Sequence, residues 1–518
     1  MEPLTDKFGR IRNERHVCGP RGCRALLLSA FLKATPFALI AALLLAADLG
    51  RAHAQELLLS PPSGGATEAS PIAGPSVMPP VVTAPPFATP QAPTATKADD
   101  FAGMADAGLA ELPADDFLPP SPPAPPKPAF DAGYDNGIFL KLRKGNDSFE
   151  LKTNLRSQFR IVTFRRDVES WTDNAGVVRP VQNRQIFELE RARLVLSGHA
   201  FTPKLRYFMQ LDGDTDSRHV VALLDGWFAW RFSDAFEMQF GKRKVPGTRN
   251  WMLGAFDTRL ADRPFANEFF RPSRTTGIWF VGDPSEKTHY ELMIGQGYNT
   301  EGLTPSEMGD DFAVAGTSWW DAVGNYGPNR PCDFEIHDEL AVRLGSSWVT
   351  SQEGTPGRQL EEADFLRLTD GTRLTDPNAL APGATVQSFD VSLLAVDVAF
   401  KYRGWSANAE YFWRSVTDLK ANLPVPSVGL QHGFYVEGGF FVLPKQFELN
   451  SQFAAVYGKY GSTTSFATGF SYYPRKTQNL KLTIDATMID GSPVNSTGSD
   501  ILVGDSGVLI RTQFQALF

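Results

Sequence analysis

Residues 151–165 read LKTNLRSQFRIVTFR, and two kinds of side chain alternate along them. The odd positions are mostly apolar, whereas the even positions as far as Arg160 are polar or cationic. Because successive side chains of a β-strand point to opposite faces, this period of two predicts a strand with one apolar and one polar face. The same alternation is present in three further stretches, residues 204–211, 405–414 and 480–488. The sequence therefore predicts an antiparallel all-β protein.

About sixteen segments with this strand-like pattern lie along the chain. They are predicted at residues 137–143, 149–165, 185–198, 204–212, 219–232, 235–243, 275–282, 287–297, 337–350, 389–402, 404–416, 432–443, 446–459, 464–473, 477–489 and 507–518. Aromatic residues cluster near the predicted strand ends, at Trp227, Trp230, Phe440, Phe441, Tyr472 and Tyr473. A soluble β-sandwich also alternates, but aromatic girdles and an even strand number are typical of bacterial outer-membrane barrels. The predicted fold is a transmembrane antiparallel β-barrel of about 16 strands, which is wide enough to enclose an aqueous channel.

Two segments precede the predicted barrel. Residues 36–47 are apolar and follow a front end rich in Lys and Arg. They are too few for a membrane-spanning helix, which needs about 20 residues, and Ala52-His53-Ala54 then offers a small-x-small site of the kind that signal peptidase accepts. Residues 1–54 are therefore predicted to be a cleaved signal peptide, with a signal anchor retained in the inner membrane as the alternative. Residues 55–134, rich in Pro and Ala, are predicted to be a disordered periplasmic tether, and residues 135–518 the barrel.

The composition and the motifs argue against several classes of protein. The 518-residue chain has a formal net charge of -8, whereas a protein that binds nucleic acid usually carries a basic excess. Its three cysteines, Cys18, Cys23 and Cys332, cannot form a disulfide framework or a cysteine-rich zinc site. The sequence contains no nucleophile elbow, HExxH motif or P-loop, and the pair Ser197 and His199 lacks a third, orienting group. We therefore predict no enzyme activity, no catalytic residues, no cofactor and no metal site.

The last strand carries a second indication of the fold. From Val508 every second residue lies on one mostly apolar face, and this row ends at Phe518, the final residue. This pattern looks like the terminal signature of outer-membrane barrels, which the barrel assembly machinery of that membrane recognises. Phe518 is therefore predicted to be a membrane-insertion signal, and the predicted location is the bacterial outer membrane.

Two stretches resemble a known family, the phosphate-selective porins O and P. Residues 187–198 read FELERARLVLSG, which is similar to that family's Arg-x-Arg-Leu strand ending in Ser-Gly. Residues 238–246 read MQFGKRKVP, which resembles its Gly-x-x-Lys-Val-Pro segment. The likeness runs from about residue 137 to the end of the chain. It implies a sixteen-stranded barrel that forms a homotrimer, with an inward loop that narrows the channel and wall arginines that select anions such as phosphate.

Arginines are the candidate functional residues, because cations facing a narrow aqueous lumen lower the energy of a permeating anion. The predicted pore-lining residues are Arg156, Arg160, Arg191, Arg193 and Arg206. Arg156, Arg160 and Arg206 lie on the polar phase of their strands. Arg191 and Arg193 share a face with Phe187 and Leu189, so their inward orientation is implied by the family resemblance.

A loop of about thirty residues between Lys244 and Thr275 is far longer than a hairpin needs. Its arginines outnumber its acidic residues by two, and its aromatic residues could pack it inside the barrel. We predict that it folds inward as the constriction, with a solvated surface loop as the alternative. The predicted constriction residues are Arg249, Arg259, Arg263, Arg271 and Arg274.

The charge distribution adds a complication. Residues 298–388, predicted to be long extracellular loops around one strand, contain 5 basic and 15 acidic residues. An acidic rim would work against the capture of anions. The sequence therefore predicts a porin in outer-membrane lipid for the passive diffusion of small anions, with phosphate or polyphosphate as candidate solutes. The alternative is a structural or adhesive barrel with a plugged lumen, anchored by the Pro-rich segment.

Overall fold

The computed structural model of the protein describes residues 130–213 and 221–518, and the predicted signal peptide and most of the predicted tether lie outside them. The strands are β1 (Phe130–Tyr134), β2 (Ile138–Lys144), β3 (Asp147–Arg166), β4 (Ser170–Thr172), β5 (Val178–Pro180), β6 (Arg184–Ala200), β7 (Thr202–Asp212), β8 (Ala222–Ser233), β9 (Phe236–Lys244), β10 (Arg274–Ser285), β11 (Thr288–Gly295), β12 (Ala313–Val323), β13 (Ala341–Gly354), β14 (Val386–Tyr402), β15 (Trp405–Ala421), β16 (Leu430–Leu443), β17 (Phe447–Gly458), β18 (Gly461–Tyr472), β19 (Leu480–Asp490) and β20 (Gly507–Leu517). Two short α-helices, α1 (Arg249–Met252) and α2 (Phe265–Phe270), and three 3-10 helices, Pro305–Glu307, Glu361–Phe365 and Thr497–Ser499, lie in connections. None of the helices in the described residues is long and apolar enough to cross a membrane.

Sixteen of the strands, β3 and β6 to β20, form a closed antiparallel barrel, which confirms the predicted fold class. Each pairs with the next one along the chain, and β20 closes the circuit by pairing with residues 156–166 of β3. The C-terminal residue completes this seam, because the N–H of Phe518 donates to the carbonyl of Leu155 at 2.9 Å and the carbonyl of Phe518 accepts from the N–H of Leu155 at 2.7 Å.

The alternation of side chains determines which face of the wall is inside. Along β15, Trp405 is more than half exposed on the outer face, whereas Asn408 and Glu410 are buried in the lumen. Along β3, Phe159 is exposed and its neighbours Gln158 and Arg160 are buried. Apolar side chains thus point outward and polar side chains inward, as the period of two predicts.

The predicted number of barrel strands is right, but one predicted strand lies outside the barrel and one barrel strand was not predicted. Residues 137–143 form part of a β1–β2 hairpin that pairs with the first residues of β3 and lies outside the barrel circuit. Phe130–Tyr134, assigned by the sequence to the tether, are β1. The barrel strand missed by the sequence is β12, at Ala313–Val323. Its first two inward residues, Ala313 and Ala315, pack against apolar neighbours, so this part of the strand lacks the polar contrast on which the prediction depends.

The two ends of the barrel differ in their connections. One end, which we call the turn end, has short connections such as 234–235, 286–287 and 403–404, and the C-terminus lies there too. The opposite end, the loop end, has the long connections 167–183, 245–273, 296–312, 355–385 and 491–506. The prediction of one strand within residues 298–388 is therefore wrong: β12 and β13 both lie there, and the connection between them, residues 324–340, is at the turn end.

Connections from both ends enter the lumen. Connection 245–273 folds inward and packs Phe270 of α2 on Phe412 of β15, with ring centroids 5.1 Å apart. From the turn end, residues 324–340 bury Phe334 against Phe441 and Tyr473, so these two aromatic residues face inward rather than belonging to an outer girdle. At the loop end, Leu366 and Leu368 of connection 355–385 are fully buried in the main apolar cluster. The lumen is consequently narrowed rather than open along its whole width.

Candidate functional site

A β-bulge explains how Arg191 and Arg193 reach the lumen. Gln158 is opposite Arg191 but the next residue, Phe159, is opposite Leu189, so Glu190 is an extra residue in β6. The extra residue reverses the phase of the strand, because two residues of one strand then face one residue of the other. Phe187 is accordingly exposed on the outer face, whereas Arg191 is buried inside and donates to Gln158 Oε1 at 2.7 Å.

A cavity of about 400 Å³ lies inside the barrel, between connection 245–273 and the strands β6, β9 and β10. Connections 296–312, 355–385 and 491–506 close it towards the loop end. Its basic lining residues are Arg191, Arg193, Lys244, Arg263, Arg271, Arg274 and Arg367. Its acidic lining residues are Asp262, Glu268, Glu301 and Asp364. Seven basic residues against four acidic ones give the lining a net positive charge.

Trp251 is at the centre of this basic lining. The hydroxyl of Thr248 caps α1 by accepting the N–H of Trp251 at 3.2 Å, which fixes the indole at the start of the helix. Four cations then lie within cation–π range of the ring. Their distances to the ring centroid are 4.0 Å for Arg271, 4.6 Å for Lys244, 5.3 Å for Arg263 and 5.4 Å for Arg274. The buried indole N–H has no acceptor among the described residues, so it is available to a bound ligand.

Four of the seven basic residues that line the cavity have a close carboxylate partner. The nearest pairs are Arg193 with Asp212 at 2.7 Å, Arg191 with Asp262 at 2.8 Å, Arg271 with Glu268 at 2.8 Å and Arg274 with Asp225 at 3.0 Å. Burial alone would raise the pKa of Asp262, but Arg191 and Arg160 outweigh it and hold that pKa well below the usual range. Asp262 therefore remains ionised and binds the tip of connection 245–273 to the barrel wall.

Three basic residues of the cavity have little or no carboxylate compensation. Within the described residues, Lys244 and Arg367 have no carboxylate closer than 4 Å; Lys244 donates to the carbonyls of Trp251 and Leu253, and Arg367 to that of Gly371. Arg263 has only Asp262, at 3.9 Å. Burial lowers the pKa of both Arg263 and Arg367 to about 10, so both still carry their charge at neutral pH. The cavity thus holds positive charge that the protein itself leaves without a counter-charge.

The other predicted wall arginines lie elsewhere in the lumen. Arg160 is fully buried between Asp500, at 2.7 Å, and Asp262, at 3.1 Å, and does not line the cavity. Arg156 is half-buried opposite Arg193 and lies nearer to the turn end. Arg206 is 42% exposed close to the turn end and pairs with Glu237 at 2.8 Å.

The five predicted constriction arginines are not brought together. Arg263 and Arg271 line the cavity from connection 245–273, and Arg274 does so as the first residue of β10 rather than as part of the connection. Arg249 and Arg259 lie on the far side, where they pair with Asp397 at 3.1 Å and Glu448 at 2.9 Å. Three of the five arginines therefore line the cavity, and two face the opposite wall of the lumen.

Two of the seven basic residues that line the cavity, Lys244 and Arg367, are missing from the predicted set. Lys244 ends β9 within the stretch that resembles the porin family, and this position could have identified it. Arg367 lies in an acidic part of the sequence, and nothing in its surroundings there indicates a functional role.

Among the residues that the structure describes, two groups have potential metal-ligating atoms within 4.8 Å of one another. They are Asp333, Glu335 and His337, and Glu188, Glu190 and Asp500. In the first group Asp333 already bonds the His337 ring and the N–H of Gly404, and Glu335 is 3.3 Å from Lys401. In the second group the guanidinium of Arg160 supplies the positive charge.

No protein-family model matches the chain, and no curated protein matches it either. Among solved structures it is similar to OmpT of Vibrio cholerae, with 11% identity, a TM-score of 0.44 and coverage of 73% of this chain and 100% of that one. An anion-selective porin from Comamonas acidovorans matches with 10% identity, a TM-score of 0.45 and coverage of 71% and 100%. The outer-membrane channel DcaP of Acinetobacter baumannii matches with 10% identity, a TM-score of 0.41 and coverage of 72% and 98%. The fold itself is established by the closed pairing of the chain's own sixteen strands.

Proposed function

We propose that the protein is an outer-membrane porin through which small anions diffuse passively. One observation carries the proposal: in a cavity inside the barrel, Arg367 has no carboxylate within 4 Å among the described residues and Arg263 has only Asp262, at 3.9 Å. A buried charge is unfavourable unless it is paired, so the cavity favours the entry of an anion over a cation.

The proposed route follows the β3–β7 side of the barrel. From the cavity, Arg193 leads to its cross-strand partner Arg156, and the half-buried Arg206 lies near the turn end. Because Arg193 and Arg206 each have a carboxylate partner, each step would hold an anion only weakly. A series of weak sites allows both entry and release, which conduction requires.

Several further properties belong to this proposal. The outward apolar faces suit outer-membrane lipid, and Phe518 would direct assembly there through the barrel assembly machinery. Residues 1–54 would act as the signal peptide and the Pro-rich segment as a periplasmic tether. Phosphate or polyphosphate as the solute, and a homotrimer as the assembly, are supported by the resemblance of residues 187–198 and 238–246 to the phosphate-selective porins O and P.

Single-channel recording of the purified mature protein in planar bilayers tests the proposal. We expect discrete conductance steps in KCl that fall when phosphate is added, if phosphate occupies the basic cavity. Anion-selective conductance steps that phosphate does not reduce would indicate a general anion porin. Cation-selective steps would overturn the proposal.

A structural barrel with a plugged lumen is the second candidate, because connections enter the lumen from both ends. Protein that inserts into the bilayer with a folded barrel, but shows no conductance at any voltage, would favour this candidate.

A further inference from the structure

The half of the lumen opposite the basic cavity has an acidic wall. Four neighbouring strands, β14 to β17, contribute one inward carboxylate each: Asp397, Glu410, Glu437 and Glu448. Glu410, Glu437 and Glu448 are buried, and Asp397 is half-buried with a side chain that is 5% exposed. Asp397 and Glu410 are directly opposite in the strand register, where two like charges destabilise a sheet unless a counter-charge lies close by.

Connection 245–273 supplies that counter-charge. The Arg249 guanidinium is 3.1 Å from Asp397, while the backbone N–H groups of Arg249 and Asn250 donate to Glu410 at 2.7 and 3.3 Å. Arg259 is fully buried and is 2.9 Å from Glu448. The same connection therefore presents Arg263 and Arg271 to the cavity on one side and covers the acidic wall with Arg249 and Arg259 on the other.

Residues 324–340 cover the same region from the turn end. The carbonyl of Pro331 accepts bonds from Arg259 and, at 3.4 Å, from Asn408 of β15. The hydroxyl of Tyr326 accepts from Arg249 at 3.2 Å and is 3.0 Å from the carbonyl of Arg330, to which it donates. Lys401 of β14 donates to the carbonyls of Tyr326 and Pro328. Both arginines that face the acidic wall are thus held in place by this one segment.

We propose that Arg249 and Arg259, held by residues 324–340, mask an acidic half of the lumen and thereby determine the charge selectivity of the channel. The inference rests on the proposed anion porin and deepens it. The basic cavity attracts anions, but four carboxylates on the opposite wall would attract cations if water and salt reached them. Masking leaves the basic route as the accessible one. Arg249 and Arg259 are therefore specificity-determining residues although neither lines the basic cavity.

Reversal potentials of four proteins under a KCl gradient test the masking. They are the wild type, Glu410→Gln with Glu437→Gln, Arg249→Gln with Arg259→Gln, and the combination of all four changes. Masked carboxylates do not contact the permeating ions, so the glutamine pair alone should leave the chloride-to-potassium permeability ratio unchanged. The arginine pair should lower that ratio about threefold or more. The combination of all four changes should return the ratio most of the way to the wild-type value.

Two outcomes would overturn the inference. A glutamine pair that raises the ratio means that the carboxylates already face the ions. An arginine pair that assembles normally, shown by heat-modifiable migration on electrophoresis, but keeps the wild-type ratio means that the mask has no role. If the arginine pair does not assemble, the masking is tested with a variant in which a short Gly-Asn turn replaces residues 327–337. This variant keeps both arginines but removes the segment that holds them. Its ratio should fall, and an unchanged ratio would overturn the inference. A wild type that is not anion-selective contradicts the proposed function instead, whatever the glutamine pair shows.

Discussion

Neutralising Arg367 should weaken anion selectivity without disturbing the barrel. Arg367 lines the basic cavity from connection 355–385 and has no carboxylate within 4 Å among the described residues. A sphere of the cavity's 400 Å³ has a radius of about 5 Å, so the guanidinium lies about 7 Å from an anion at the centre. At an effective dielectric constant between about 20 and 80, a unit charge at that distance contributes about 0.6 to 2.4 kcal/mol.

Each 1.4 kcal/mol is about tenfold in binding, so this range corresponds to roughly a 3- to 50-fold change in anion occupancy. The proposed route brings water and salt into the cavity, and we therefore expect the lower end. Arg367→Gln should reduce the chloride-to-potassium permeability ratio about threefold at 0.1 M salt and much less at 1 M, where the Debye length is only about 3 Å. The assay is the reversal potential in a planar bilayer at both salt concentrations.

Arg358→Gln is the matched control. Arg358 belongs to the same connection and loses the same charge, but it is exposed and bonds the carbonyl of Ser306 outside the cavity. It should keep the wild-type ratio. Equal effects of the two variants, or no effect of Arg367→Gln at low salt, would refute the assignment of the cavity to the anion route.

Three other predictions concern the placement of segments and the assembly of the barrel. A polar thiol reagent should leave Cys332 unmodified in the folded protein, because the side chain is 1% exposed and burial raises the pKa of its thiol; fast labelling would contradict the inward position of residues 324–340. Deleting Glu190 removes the bulge and leaves a regular β3–β6 ladder in which Phe187 and Leu189 still face outward and Arg191 still faces the lumen, so we expect a heat-modifiable barrel to form; loss of the barrel would contradict the assignment of Glu190 as the extra residue. Phe518→Ala keeps both backbone bonds to Leu155, so it should refold in detergent like the wild type but accumulate less in the outer membrane of cells; equal accumulation would argue against Phe518 as the insertion signal.

The sequence was informative where one strand contacts only its neighbours and solvent. The alternation in β15 and β19 gives both the strand and its inner face, and the inward phase of Arg156 and Arg160 in β3 follows from the same pattern. The pattern is misleading at β6, because one extra residue, Glu190, reverses the phase between Leu189 and Arg191. A bulge has no marker in a single sequence, and only the pairing with β3 reveals it.

Contacts between distant segments account for the rest of what could not be predicted. Arg160 was a natural candidate for the pore wall, yet Asp500 and Asp262 neutralise it from two separate connections. Residues 324–340 have the composition of an ordinary polar loop, and their inward position depends on Arg259, Asn408 and Phe441. Such pairings depend on how the barrel closes, which the order of residues within any one segment does not encode.

The reversal potential of the wild-type protein tests the central claim most directly. A single channel held between 0.1 M and 1 M KCl should reverse at a potential of the sign set by chloride, because the accessible charge of the lumen is positive. The preference for chloride over potassium should weaken when the KCl concentration of both solutions is raised, because screening reduces the field of the cavity cations. A reversal potential of the sign set by potassium would contradict the account.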